Sequence, residues 1–263
     1  YLYNDIAANA GSIENNGIEL NLNTLPIQTE NFSWNSNVNF SYNENKVVSL
    51  QGDVFQVEGG YFYAGWVNAP VQEPSHRVEE GNAVGNFYGY KSINISDEGM
   101  WIIEGEDGSP KSIENKTPDD KQYLGNGLPD YNLSWNNAFR YKNFTLSLSM
   151  SGAFDFQLLN MDRVFHGNPV SMLIGNGLHD AIEPVYGKRP LSIHQPRVYV
   201  SHYIENGDYW KIDNATLSYS LNPKEGFIKN LRVFINGLNL ITFTDYSGLD
   251  PEVNILGLAP GVD

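Results

Sequence analysis

Residues 131 to 156 read YNLSWNNAFRYKNFTLSLSMSGAFDF, and their spacing decides the fold. Tyr131, Leu133, Trp135, Phe139 and Tyr141 occupy one parity, while Asn132, Ser134, Asn136 and Arg140 occupy the other. Beyond Lys142-Asn143 the alternation resumes, with Phe144, Leu146, Leu148 and Met150 against Thr145, Ser147, Ser149 and Ser151. Side chains of a strand point to opposite faces in turn, so a period of two with no helical period predicts an antiparallel hairpin. One face is apolar and aromatic; the other carries hydroxyls, amides and a charge. Such a ribbon suits a wall between lipid and a wet lumen. It suits a sandwich with one solvated face equally well. Repetition and length separate the two.

Working outward, Ile18, Leu20 and Leu22 oppose Glu19, Asn21 and Asn23, and after Pro26-Ile27-Gln28-Thr29-Glu30 the residues Phe32, Trp34, Val38, Phe40 and Tyr42 oppose Ser33, Asn35, Asn37, Asn39 and Ser41. Late in the chain Ala215, Leu217, Tyr219 and Leu221 alternate with Asn214, Thr216, Ser218 and Ser220. Past Asn222-Pro223-Lys224-Glu225-Gly226, Leu231, Val233 and Ile235 alternate with Arg232 and Asn236. A weaker strand is expected over Val84–Ile95 and another at Trp101-Ile102-Ile103. The total expectation is about eight strands of roughly 9 to 13 residues, against about 5 to 6 in ordinary sheets. That length approaches the membrane-crossing strand of about 9 to 11 residues. Short links at 26–30, 142–143 and 222–229 alternate with long polar segments at 44–82, 157–208 and from 243 onward. Sorting short turns to one side and long loops to the other is the asymmetry of an outer-membrane barrel. Alternation of sides then requires one more strand within 96–130.

Composition narrows the class. Against 16 Lys and Arg stand 31 Asp and Glu, a net charge of −15, which repels phosphate backbones and argues against nucleic acid as a partner. There is no cysteine, which excludes a disulfide scaffold or thiolate metal site. No apolar run approaches the roughly 20 residues of a membrane helix, and a barrel would leave none. Tyr1-Leu2-Tyr3-Asn4 shows no basic region followed by an apolar stretch, so no signal peptide is read there, and the chain is expected to start mid-strand.

Several stretches, in order, carry a family resemblance: Asn9-Ala10-Gly11-Ser12-Ile13-Glu14-Asn15-Asn16-Gly17-Ile18-Glu19, Trp34 with Asn43-Glu44-Asn45-Lys46, Glu80-Gly81 ahead of Phe87-Tyr88-Gly89-Tyr90, Gly125-Asn126-Gly127-Leu128-Pro129, Tyr141-Lys142-Asn143-Phe144, Asn206-Gly207-Asp208-Tyr209-Trp210, and Gly237-Leu238-Asn239-Leu240 through Thr244-Asp245-Tyr246-Ser247-Gly248-Leu249-Asp250-Pro251-Glu252. Together they resemble the C-terminal part of a SusC/RagA-type TonB-dependent outer-membrane transporter. The resemblance implies an all-β, antiparallel transmembrane barrel of about 22 strands with an N-terminal plug. Residues 1–263 would then be a partial barrel domain without the plug, the TonB-contacting segment, the early strands or the closing aromatic-ended strand, since the sequence stops at Gly261-Val262-Asp263. It further implies residence in the outer membrane of a Gram-negative bacterium and contact with outer-membrane lipid. A glycan or peptide ligand would be imported with a SusD-like surface lipoprotein as lid and the TonB complex as energy source, without cofactor or covalent chemistry. A soluble all-β carbohydrate-binding or adhesion module and a passive porin remain open alternatives.

Candidate ligand-binding residues fall in two places. Tyr61, Tyr63 and Trp66, with Phe62 between them, form an aromatic cluster in a long glycine-containing loop, where flat rings stack on sugars, clamp peptides, or pack the loop on itself. Asp245, Tyr246 and Asp250, with Glu252, belong to the family signature and either contact ligand or brace the loop. Catalysis finds no motif: His76, His166, His179, His194 and His202 lack His-Glu-x-x-His spacing, and no Gly-x-Ser-x-Gly elbow occurs. The acidic stretch Glu104–Asp120 lacks calcium-loop spacing and reads as a solvated loop.

Overall fold

A computed structural model describes residues 11–52, 57–223, 227–253 and 256–263. Asn9 and Ala10 of the first motif, the N-terminal Tyr1 to Asn4 and the turn residues Lys224, Glu225 and Gly226 lie outside the described residues. In chain order the elements are β1 Ser12–Gln28, β2 Phe32–Ser49, β3 Tyr61–Ala64, β4 His76–Glu79, β5 Asn86–Tyr90, β6 Ser92–Ile95, β7 Trp101–Glu104, β8 Pro110–Ser112, β9 Lys121–Asn126, β10 Tyr131–Tyr141, β11 Phe144–Phe154, β12 Gln157–Leu159, α1 Met161–His166, α2 Ser171–Ile174, β13 Ile204–Asn206, β14 Tyr209–Leu221 and β15 Leu231–Thr244.

Six of these are long and form one sheet in the order β1-β2-β10-β11-β14-β15, every neighbouring pair antiparallel. Their lengths run from 11 residues in β10 and β11 to 18 in β2. The expected hairpins are all present. Tyr141 pairs with Phe144 across Lys142-Asn143, where Lys142 takes φ 51°, the left-handed region that two-residue hairpin loops require. Adjacent turns are stitched together, because Lys142 N donates to Asn31 O at 2.8 Å and Ser220 N donates to Asn143 O at 2.9 Å.

The strand count corrects the sequence expectation from about eight to six. Strand β2 pairs directly with β10, Trp34 opposite Phe139 and Tyr42 opposite Tyr131, so no wall strand lies within 96–130. Val84–Ile95 splits into β5 and β6, which belong to different small sheets, and Trp101–Glu104 pairs with β6 and β8. Residues 50–130 are one excursion between β2 and β10, and alternation of sides is kept without an added strand.

The long segments, expected as polar loops, instead build a layer with its own core. Sheets β3-β4-β5-β9, β6-β7-β8 and β12-β13 surround a cluster in which Phe87, Ile95, Trp101 and Ile103 of the first excursion meet Leu159, Val164, Tyr199 and Tyr203 of the second. Trp101, Tyr199 and Phe87 are fully buried, and each such side chain contributes about 1.5–3 kcal/mol. Runs of three to six residues broken by Gly, Asn and Asp are too short to show a period, which is why this layer read as loop.

The wall is different. Its register sorts Trp34, Trp135, Tyr141, Phe144, Leu146 and Leu217 onto one face and Asn35, Ser147 and Thr216 onto the other. The apolar face is uncovered: Ile18 is 67 % exposed and Ile235 72 %. A water-soluble sheet would bury such rows. Polar residues interrupt that face in one row: Ser36 and Asn137, paired across β2 and β10 and both buried, with Thr24 of β1 opposite Ser36. Trp135 Nε1 donates to Ser36 Oγ at 2.9 Å and Trp34 Nε1 to Asn137 Oδ1 at 2.9 Å, so two indoles roof the polar pair and satisfy their own donors.

Candidate functional site

The polar face of the wall is an amide and hydroxyl ladder. Asn37 donates to Asn23 at 2.6 Å, Asn39 to Asn37 at 2.9 Å and to Ser134 at 3.0 Å, and Thr216 to Asn236 at 2.7 Å. A groove of about 590 Å³ on this face is lined by uncharged residues only, among them Asn23, Asn35, Asn136 and Ser149. Period two in strands rich in Asn and Ser produces this surface directly.

Where the wall meets the long-loop layer, a second cavity of about 600 Å³ opens between Tyr42 and Tyr123, with Asn45, Asn82, Asn126 and Gln157 around it. Asn126 is held by four bonds: Nδ2 donates to Val84 O at 2.9 Å and to Asn86 Oδ1 at 2.8 Å, Oδ1 accepts from Leu128 N at 2.7 Å, and its backbone N donates to Gln157 Oε1 at 2.7 Å. Glu44, Asp130 and Asp155 face the same cavity. Burial first, then the neighbouring Asp155 and Glu44 carboxylates, raise the Asp130 carboxyl above its ordinary range.

Beside it lies a tyrosine row. In β3 the alternation sends Phe62 and Ala64 onto a small core with Val47, Leu50, Val78 and Val84, leaving Tyr61 and Tyr63 on the other side. Tyr63 and Tyr61 meet edge to face with centroids 5.7 Å apart, Tyr63 and Tyr88 lie at 6.1 Å, and Tyr88 and Tyr123 at 5.4 Å. Arg77 from β4 sits 3.8 Å above the Tyr61 ring, donates to the Tyr88 hydroxyl at 2.9 Å and pairs with Glu79 at 2.7 Å. Glu79 also accepts from the Tyr123 hydroxyl and, at 3.2 Å, from Asn82, which joins the row to the cavity. Cation–π contact of about 0.5–2 kcal/mol per ring ties Tyr61 and Tyr88 to the guanidinium. What results is a row of tyrosines that meet edge-on or tilted, tied together by one arginine.

Of the residues singled out in sequence, Tyr61 and Tyr63 therefore come together. Trp66 follows Gly65, whose φ of +64° turns the chain, and is 58 % exposed, sharing no ring contact with the row among the described residues. Tyr246 is buried with Ala153, Phe156 and Leu158, and its hydroxyl donates to Asp263 Oδ2 at 2.6 Å. Asp250 accepts from the backbone N of Glu252 at 3.0 Å, and Glu252 pairs with Lys211 at 2.5 Å. Asp245 lies on the rim with Asp208 and Thr242. Arg77, Tyr88, Tyr123 and Asn126 were not picked out as site residues in the sequence, because strands β4, β5 and β9 that carry them are four to six residues long. In the acidic stretch, Asp120 spends both oxygens internally, Oδ2 accepting from Lys111 Nζ at 2.8 Å, Thr117 N at 2.6 Å and Thr117 Oγ1 at 2.9 Å, and Oδ1 from Lys111 Nζ at 3.1 Å and Glu106 N at 3.2 Å. Chiefly Lys111 holds its carboxyl well below the usual range. No group of three or more His, Asp or Glu is placed to hold a metal ion among the described residues.

No family model matches the chain. Among curated proteins, TonB-dependent receptor P3 of Formosa agariphila is 29 % identical over 274 residues, covering 94 % of this chain and 26 % of that protein. TonB-dependent receptor SusC of Bacteroides thetaiotaomicron is 29 % identical over 265 residues, covering 93 % and 24 %. The solved RagAB peptide transporter superposes with a TM-score of 0.75 at 21 % identity, covering 96 % of this chain and 28 % of that one. The fold is thus that of an antiparallel transporter barrel wall, with the sheet open in this chain. The resemblance to SusC/RagA-type TonB-dependent transporters, read first from the motifs, stands on sequence relatives and on fold. The chain spans about a quarter of the length of these relatives.

Proposed function

We propose that this chain supplies part of the wall and outer loops of a SusC-like, TonB-dependent outer-membrane importer of oligosaccharide or peptide nutrients in a Gram-negative bacterium. The observation that carries the proposal is the six-stranded sheet with one uncovered apolar face, one amide-lined face and two edge strands, β1 and β15, whose outer sides no other strand pairs among the described residues. In lipid an open edge leaves backbone donors and acceptors unpaired at several kcal/mol each, so both edges call for further barrel strands. A plug, the remaining strands of a barrel of about 22, and the TonB-contacting segment would belong to the rest of such a transporter. The long-loop layer faces the cell exterior, where a SusD-like lipoprotein closes over it. The tyrosine row and rim cavity, with Tyr61 and Tyr63 at the surface and Trp66 and Asp245 nearby in the same layer of loops, receive the nutrient. Tyr246 and Asp250 serve by holding the rim in place. Transport moves the ligand along the amide ladder without covalent chemistry.

The test is deletion of the complete gene followed by growth on defined oligosaccharides and peptides. A growth defect on one of them, reproduced by loss of TonB, is the expected result. Recovery of the full-length protein in the soluble fraction without detergent would sink the barrel.

A further inference from the structure

After β15 the chain is exposed at Leu249 and Leu256, but Ala259–Val262 thread into the long-loop layer. Pro260 O accepts from His76 Nε2 at 3.0 Å; Gly261 O accepts from Leu159 N at 2.8 Å; Asp263 N donates to Leu159 O at 3.1 Å. Val262 pairs with Leu159 in parallel and packs against the main core. The passage is cut by glycines from three separate places in the first excursion. A Cβ on Gly65 would fall 2.9 Å from Ala259 Cβ, one on Gly85 2.8 Å from Pro260 Cγ, and one on Gly127 2.3 Å from Pro260 O. The Gly127 contact is to backbone and cannot be relieved by a rotamer change, while Gly65 and Gly85 meet an alanine methyl and a proline ring that have no rotamer to escape to.

Gly127 follows Asn126, and Gly261 lies against the carbonyl of Gln157; Asn126 and Gln157 are the two bonded residues of the rim cavity wall. We infer that Ala259–Asp263 is a strap whose glycine-lined seat positions the Asn126–Gln157 wall of the rim cavity, tying the loop after β15 to both long excursions. A positioned wall and a seated strap stabilise one another, so a ligand that favours the wall geometry also favours the seated strap, by the reciprocity of coupled sites. Only this last consequence rests on the cavity being the nutrient site proposed above.

The experiment is amide hydrogen exchange on the purified full-length protein in detergent, with no ligand added. In Gly127→Ala the amides of Leu159 and Asp263, protected by strap bonds, are expected to exchange about tenfold faster or more, while the wall amides of Leu146 and Leu217 keep their rates. Gly175→Ala, where a Cβ meets nothing within 4 Å, is the neutral control. His76→Phe removes the bond to Pro260 with little change of volume. It is expected to speed exchange at Asn126 as well, although residue 76 has no bond to Asn126 or Gln157, an effect a purely local role would not give. Tyr246→Phe adds no bulk and is expected to loosen Asp263 alone. Unchanged exchange at Leu159 and Asp263 in Gly127→Ala and His76→Phe overturns the strap. Loosening of those two with Asn126 fully protected overturns its positioning role. Neither readout needs transport, so failure here is separable from failure of the proposed function.

Discussion

His76 shows most simply how one residue links sequence to the behaviour of the long-loop layer. Fully buried against Phe87, it donates from Nε2 to Pro260 O and shares a 2.8 Å hydrogen bond between Nδ1 and the Ser75 hydroxyl, which donates when the ring is neutral. Burial lowers its pKa from 6.5 to about 4. The unfolded chain therefore binds a proton that the folded layer refuses, and the stability tied to this group is complete above about pH 6.5 and is lost as pH falls towards about 4. Exchange protection of the strap-bonded Leu159 amide, measured in steps from pH 7 to pH 4, is expected to fall over that window, and His76→Phe to flatten the fall. The roofed pair Ser36 and Asn137 supports a second prediction. Replacing Trp34 by Phe leaves Asn137 Oδ1 buried without its indole donor, at a cost of about 1–3 kcal/mol in urea unfolding of the refolded full-length protein. A cost no larger than that of Trp210→Phe, whose ring stacks on Phe154, would show that the indole bond is not what matters. For ligand capture, Tyr63→Ala and Trp66→Ala together are expected to weaken uptake while leaving assembly intact, since exposed loop side chains add little to the strand ladder. Normal growth of that variant on the nutrient, with the lipoprotein partner still retained, would assign the cluster to loop packing.

At the scale of elements, what was legible in the sequence was what period two encodes over many residues. β10 and β11 alternate through 11 residues each and were found with their turn and both faces; β2 and β14 likewise. β14 also shows where strict alternation fails: Asp213 is an extra residue between Ile212 and Asn214, and without that bulge Ile212 and Trp210 would swing to the polar face. Across the ladder Leu146 pairs with Leu217 and Leu217 with Ile235, so the corrected register keeps one apolar row across three strands. The long-loop layer was illegible because its cohesion is nonlocal: Trp101 takes its backbone bond from Gln195, and Tyr199 donates to Ser75 O at 3.0 Å. The tyrosine row was half visible, Tyr61 and Tyr63 as part of an aromatic cluster read in a loop, Arg77 and Tyr123 only by folding. The wall gives its own prediction. Lysine at Leu146 or Leu217 is expected to destabilise the refolded protein by about 2–4 kcal/mol near mid-membrane, and Ser147→Lys on the amide face by much less. Equal costs at Leu146 and Ser147 would contradict an apolar face set in lipid.

At the scale of the whole molecule, the proposed barrel and the distribution of connections together predict which end of the wall meets which compartment. Three short turns, around Thr29–Asn31, at Lys142-Asn143 and from Asn222, share one end, whereas both excursions, the strap and the rim cavity share the other. In an outer-membrane barrel short turns are periplasmic and long loops extracellular. The chain's net charge of −15 is consistent with that placement, because an acidic outer layer on a cell surface binds neutral or cationic nutrients without collecting polyanions. Orientation is therefore testable independently of substrate. On intact cells, single cysteines introduced at Trp66 and Ile193, both exposed in the long-loop layer, are expected to react with a membrane-impermeant maleimide. A cysteine at Asn143, in the tight turn beyond Tyr141, is expected to react only after the outer membrane is opened. Reaction at Asn143 in intact cells, with Trp66 and Ile193 silent, would invert the topology and move the rim cavity to the periplasmic side. Binding there would then favour release of cargo rather than its capture.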